Sequence, residues 1–278
     1  MQKRFSIKIY TGLIIILLMS PFFSFAQQSP IEVEADTLVA REDYTGALAL
    51  YNQIIDKSKA KTEEEYQLYY KRAVCHYGLE NFSEALRDVN IVIEKHPSPQ
   101  AKLLRAYINQ ALEDYEAQLL DLNELMSLNP DNPEMIQWRA SVLMESGKYK
   151  EAQKNIRRLL QYKSSPQLKS YLGLTYYYLD NPDSALIMFD EVIREDPNFT
   201  QSYMYAASLC LDESAYELGL NYIDNGLQKE PSNSTLLFYR GIALVETDQK
   251  TEGCRCLTKA FNAGIDDVGE YLKEYCYK

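Results

Sequence analysis

The chain holds little of what catalytic and metal-binding proteins concentrate. Among 278 residues there are two histidines and one tryptophan, and neither His76 nor His96 has a Cys, Asp or Glu partner at metal-ligand spacing. No glycine-rich phosphate loop or nucleophile elbow occurs. With no constellation for metal-dependent, nucleotide-dependent or nucleophilic chemistry, neither a cofactor nor an enzymatic activity is expected. Glycine (11) and proline (10) are also scarce, which excludes collagenous and low-complexity classes. A composition 46% hydrophobic and 25% charged is that of an ordered globular protein. Positive charge is in deficit, 29 Lys and Arg against 40 Asp and Glu, so most of the surface repels nucleic acid and anionic membranes.

Long apolar runs are missing as well, with one exception that is itself short. "GLIIILLM", residues 12–19, follows Lys3, Arg4 and Lys8 and ends before Pro21 and the small residues of Ser24-Phe25-Ala26. That order predicts a secretory signal peptide over residues 1–26. An uncleaved anchor is the competing reading, disfavoured because Pro21 interrupts a stretch shorter than the roughly 20 residues a span requires. Cleavage removes three bases and no acid, leaving 26 Lys and Arg against 40 Asp and Glu, a formal charge of −14. The expected location is periplasmic or extracellular, associated with the cell envelope, without membrane insertion after cleavage.

What the chain does have is tyrosine, 23 of them, and a period. "GLTYYYLDNPDSALIMFDEVIREDP", from Gly173 to Pro197, reads as two antiparallel helices joined by a tight turn. Asn181 is suited to cap the second helix, Pro182 to its first position and Asp183 to its positive end. The same template recurs with Tyr44, Phe82, Tyr115, Tyr149, Pro182, Tyr216 and Lys250 just inside the second helix, at spacings of 38, 33, 34, 33, 34 and 34. Three residues on stand Ala47, Ala85, Ala152, Ala185, Gly219 and Gly253, with Gln118 the exception. Twelve residues before that position every copy is small: Ala35, Ala73, Ala106, Ala140, Gly173, Ala207 and Gly241. Small residues at matched distances from a turn let two helix backbones approach closely. Tyr51, Val89, Leu122, Ile156, Phe189, Ile223 and Leu257 then fill the space between hairpins, and no hairpin can bury that stripe alone.

A residue before the first small position, Arg72, Arg105, Arg139 or Arg240, is matched sixteen residues on by Asp88, Asp121, Asn155 or Cys256, which predicts that the two positions face each other across the hairpin. Independent surface residues are the alternative. The first linker, around "DKSKAKTEEE", is longer than the others and is read as a solvated loop.

This order of small, aromatic and proline positions, repeated about seven times, resembles the tetratricopeptide repeat. The resemblance implies an all-α fold, an α-solenoid of helix-turn-helix repeats forming a right-handed superhelix, over residues 27–266. Residues 267–278 follow as a cap, with Val268, Tyr271, Leu272 and Tyr275 on one face. In this family the first helices line a concave groove that binds proteins or peptides. Carried onto this chain, the groove positions include Tyr70, Tyr77, Tyr107, Tyr177, Tyr178, Met204 and Phe238, with Tyr176 a packing position. The same residues serve equally as packing between neighbouring first helices. The Lys positions of the carboxylate-gripping subgroup are occupied here by Tyr70, Leu103, Gln137, Ser170, Met204 and Phe238, so that activity is not expected.

Five cysteines leave one odd. Cys254 and Cys276 lie symmetrically about Ile265 in the expected last turn, so they are a candidate disulfide, the alternative being free thiols. The composite expectation is a non-catalytic, exported scaffold that binds a protein or peptide in its groove. The alternative is a structural subunit of an envelope or secretion assembly, making contact through its convex side or its ends.

Overall fold

The structure, a computed structural model, describes residues 29–57 and 63–277. Residues 1–28, which include the expected signal peptide, and residues 58–62 of the charged first linker lie outside the described residues. Among the described residues fifteen α-helices alternate with short turns: α1 (Pro30–Ala40), α2 (Tyr44–Lys57), α3 (Glu63–Gly78), α4 (Phe82–Lys95), α5 (Pro99–Ala111), α6 (Tyr115–Leu128), α7 (Pro133–Glu145), α8 (Tyr149–Tyr162), α9 (Pro166–Tyr178), α10 (Pro182–Glu195), α11 (Thr200–Asp212), α12 (Tyr216–Lys229), α13 (Ser234–Glu246), α14 (Lys250–Asn262) and α15 (Val268–Tyr271). No strand occurs among the described residues. Consecutive helix pairs pack as the expected α-solenoid, and the chain falls into two compact units that meet at Gly147/Lys148.

The first unit contains the hairpins α1/α2, α3/α4 and α5/α6, each stacked on the next, with α7 against α6. The second contains α8 packed on α9 and the stacked hairpins α9/α10, α11/α12 and α13/α14. Every turn inside a hairpin has one residue in the left-handed region at the same place: Glu42, Glu80, Glu113, Gly147, Asp180, Ser214 and Asp248. It closes the preceding helix. The following amide donates back to a carbonyl of the last turn, as in Asn81 N–H to His76 O and Asn181 N–H to Tyr176 O, satisfying an orphan acceptor. Each second helix then starts within two residues. Ser29, Ser98, Asn132 and Ser165 cap first helices, each with a proline at the first position. Asn181 caps α10 through Ser184 N–H, as its sequence implies.

The small positions are buried, and several cannot be enlarged. A Cβ on Gly173 would lie 2.6 Å from the Phe189 ring, and one on Gly241 would lie 2.6 Å from Leu257. The interhairpin fillers Tyr51, Val89, Leu122, Ile156, Phe189, Ile223 and Leu257 are all buried. Gln118, which stands where other copies have Ala or Gly, is fully buried, and neither end of its side-chain amide has a hydrogen-bond partner.

The cross-hairpin pairing is present at Arg72 and Arg105, which meet Asp88 and Asp121, and at Arg240, which meets Cys256, whereas Asn155 donates to Glu151 O within its own helix. Arg72 Nε and Nη2 grip both oxygens of Asp88 at 2.7 and 2.8 Å, and Arg105 grips Asp121 at 2.8 and 2.7 Å. Each arginine also reaches the preceding second helix: Arg72 to Asn52, Arg105 to Asn90, Arg139 to Asn123 and Arg240 to Asp224. Arg240 meets Cys256 Sγ at 3.4 Å and Glu252 at 2.6 Å. At the start of the first unit Lys71 joins α3 to α1 through Glu32 (2.8 Å) and Asp36 (2.7 Å).

At the C-terminal end α15 runs into a π-helical turn, Leu272–Cys276. Val268 and Leu272 are buried, and Tyr271 stands edge-on to Phe238 at 5.4 Å. Cys254 of α14 and Cys276 are joined as a disulfide with Cα atoms 5.7 Å apart, whereas Cys75, Cys210 and Cys256 are buried thiols.

Four stability outcomes follow from this packing. In Gly253→Ala the new methyl would sit 2.9 Å from Gly241 O and 3.0 Å from Val245 N, backbone atoms that cannot yield. It should cost about 1–2 kcal/mol despite the better helix propensity of alanine. Gly219→Ala, at the same repeat position but with its nearest neighbour at 3.3 Å, should be neutral or stabilising in the same thermal melt. Gln118→Ala should stabilise by about 1 kcal/mol, since it removes two unsatisfied buried polar atoms; a lower melting temperature would contradict this. Unfolded, unreduced protein should titrate three thiols, and reduction should lower stability by about 3 kcal/mol for a loop of this size. Five free thiols before reduction would contradict the bridge.

Candidate functional site

In each unit the first helices of successive hairpins also touch one another directly, α3 on α5, α9 on α11 and α11 on α13. They form a row whose outward positions recur at the repeat period. Side chains at those positions are presented together, whatever their separation in sequence.

In the first unit Tyr70, Tyr77 and Tyr107 are half-buried. Tyr107 stacks on Trp138 of α7 with ring centroids 4.4 Å apart, and Tyr77 tilts against Phe82 at 5.8 Å. Burial raises the pKa of all three phenols above the ordinary value, so they remain neutral donors at physiological pH. Leu103, Gln110, Ser141 and Met144 are half-buried beside them, whereas Val74 is enclosed. Trp138 is buried with its indole N–H unpartnered, a feature that the sequence pattern did not single out.

In the second unit the three consecutive tyrosines of α9 go to three different neighbours. Tyr176 lies over Arg157 of α8, at 5.7 Å from ring centroid to guanidinium carbon, and its hydroxyl accepts from Arg157 at 2.8 Å. It is half-buried, unlike Leu143 and Leu244 at the same repeat position, because it reaches outward to that guanidinium rather than into the core. Tyr177 donates to Asp212 at the end of α11. Tyr178 stacks on Tyr149 at 4.4 Å and 12°. The pKa of Tyr177 is raised, first by burial and then by the Asp212 hydrogen bond. Met204 is half-buried and accepts from Asn233 Nδ2 at 3.7 Å.

Phe238 corrects the groove assignment. It is 1% exposed, packed between Tyr239 and the edge of Tyr271, because the C-terminal segment covers the row at that point. It is core. Ser170 is likewise buried, its hydroxyl paired with Ser202 at 2.7 Å between α9 and α11.

His76 is half-buried, with its Nδ1 buried and unpartnered, and burial pushes its pKa down. Among the described residues no three His, Cys, Asp or Glu side chains come together as a metal site, and no helix is long and apolar enough to cross a membrane.

Comparison with known proteins gives the same architecture. The tetratricopeptide repeat family matches residues 33–89, 70–133 and 139–199, more than half of the chain. The intraflagellar transport protein 56 homolog of Caenorhabditis elegans is 25% identical over 269 residues, an alignment of 92% of this chain with 44% of that protein. Human tetratricopeptide repeat protein 13 is 25% identical over 179 residues, 62% of this chain and 19% of that one. The chain thus spans less than half the length of the curated relatives it matches. Among solved structures, a tetratricopeptide repeat protein from Parabacteroides merdae superposes with a TM-score of 0.62 at 19% identity, covering 87% of this chain and 96% of that one, a likeness of fold. With the family matched over most of its repeats and hairpin stacked on hairpin in both units, the chain belongs to the tetratricopeptide repeat family.

Proposed function

We propose that the protein is a non-catalytic scaffold, exported from the cytoplasm, that binds an extended segment of another protein along its first helices. The family supports protein–protein interaction in general. The observation that carries the location is the concentration of half-buried tyrosine at the repeating first-helix positions, Tyr70, Tyr77, Tyr107, Tyr177 and Tyr178. Such rings offer large apolar area with little rotamer entropy to lose, and each has a polar end for a peptide backbone. Export is proposed from residues 1–26, whose basic start, apolar run and small-residue end fit a cleaved signal.

A second reading, a structural subunit contacting its assembly through the second helices, draws on the exposure there of Leu120 (66%) and Ile187 (60%). Photo-crosslinking in intact cells separates the two. A crosslinker replacing Tyr77 or Tyr107 should capture one discrete partner, and one replacing Leu120 or Ile187 should not. The reverse pattern would favour the assembly subunit. N-terminal sequencing of the same material should start at Gln27, and a chain retaining residues 1–26 would remove the export proposal.

A further inference from the structure

The last residues of α9, α11 and α13 are Tyr178, Asp212 and Glu246, one repeat position three times over. Beside them stand Tyr177, donating to Asp212, and from the C-terminal segment Tyr271 and Tyr275, with ring centroids 6.1 Å apart at 19°. The rings are half-buried, and the Asp212, Glu213, Glu246 and Glu274 side chains are exposed. Tyr271 is held in place edge-on by Phe238.

The electrostatics of this belt have one sign. Burial first, then Tyr275, Glu274, Glu246 and Asp212, raise the pKa of Tyr271. Glu274 first, then burial and Glu246, raise that of Tyr275. The charged side chains that act most strongly on these two rings are carboxylates. At the equivalent positions the first unit has Ala40, Gly78, Ala111 and Glu145, one carboxylate and no tyrosine, so the combination is found in the second. Electron-rich ring faces beside exposed carboxylates attract an organic cation, the rings through their quadrupole and the acids through charge-assisted hydrogen bonds. A hard metal ion would need oxygens converging on one point, whereas these are spread among rings along successive helix ends.

We propose that this tyrosine–carboxylate belt receives the arginine or lysine side chains of a basic, extended segment of the partner protein. The proposal rests on the peptide-binding reading above and specifies the chemistry of its ligand. It also sets a spacing. Packed helices lie about 8–10 Å apart and an extended chain advances about 3.3 Å per residue, so cations at every third residue meet successive helix ends.

The test uses a fluorescein-labelled peptide with arginine at every third position and otherwise Gly, Ser and Leu, beside a counterpart in which uncharged citrulline replaces each arginine. Binding of both to the full chain is followed by fluorescence anisotropy. The arginine peptide should bind about tenfold more tightly, the combined size of exposed cation–π and ion-pair contacts. The difference should shrink when salt rises from about 50 mM to about 500 mM. Asp212→Asn with Glu246→Gln should reduce the arginine peptide to the citrulline level. Asp196→Asn with Glu230→Gln, the same charge change at the far ends of α10 and α12, should not. Asp212, Glu246 and Glu230 are exposed and Asp196 is half-buried, so thermal melts within a few degrees of the unaltered chain are expected of each double variant. Equal binding of the two peptides, binding of neither, or the same response from both double variants would overturn the proposal. Crosslinking from Tyr77 and Tyr107 alongside such a result would leave the peptide-binding face standing and remove only the cation.

Discussion

The architecture depends on how closely two helix backbones approach inside each hairpin. That distance is set where Ala or Gly on the first helix faces Ala or Gly on the second, and the glycines show how little slack there is. At Gly173, Gly241 and Gly253 an added methyl would fall inside van der Waals contact with a side chain or backbone of the facing helix. Once the hairpin is that narrow, Phe189 or Leu257 projects past its partner helix and needs a neighbouring hairpin to cover it. Stacking is therefore a consequence of close approach. The one violation, Gln118, is tolerated at the expense of an amide buried without partners.

Small residues fix distance but leave rotation and register loosely specified, and directional polar contacts supply these. Arg72 and Arg105 each hold three helices, a carboxylate on their own second helix and an amide on the one before. Asp121 is 1% exposed, so its desolvation offsets much of the attraction, and the bidentate geometry contributes orientation more than stability. Where arginine is absent, at Leu172 and Ala206, other pairs occupy the same band: Arg157 with Tyr176, and Tyr222 with Asp190 at 2.8 Å. Asn52, Asn90, Asn123, Arg157, Asp190 and Asp224 share one repeat position, so the band is continuous within each unit while its chemistry changes. The tyrosines of α9 therefore serve the scaffold even where they face outward, and the surface proposed for a partner is rigid because its rings are tied to neighbouring helices.

The C-terminal end solves a different problem. The α13/α14 hairpin is followed by a short helix and a π turn in place of another helical hairpin, and without them Phe238, Leu257 and Ala260 would be open to water. Val268, Tyr271 and Leu272 cover them, and Cys276 is bonded back to Cys254. A cap of one short α-helix and a π turn buries few side chains. A covalent tie is a physical answer to that shortage, because it limits the freedom that the segment would gain on release.

The amino-acid sequence by itself determined the helical class, the period, the hairpin turns, the buried stripe and the arginine-to-aspartate facing, because each depends on local spacing that repeats. Seven left-handed turn residues at one register are the backbone trace of that pattern. Tertiary structure alone decided which outward positions stay open. Phe238 reads like Tyr70 in register, yet it is enclosed because a segment 30 residues away folds over it. Likewise Tyr271 and Tyr275 belong to the cap in sequence, and only folding brings them beside Asp212 and Glu246. A repeat assigns each residue a direction, but exposure depends on what else occupies that direction, and that is a property of the whole packed unit.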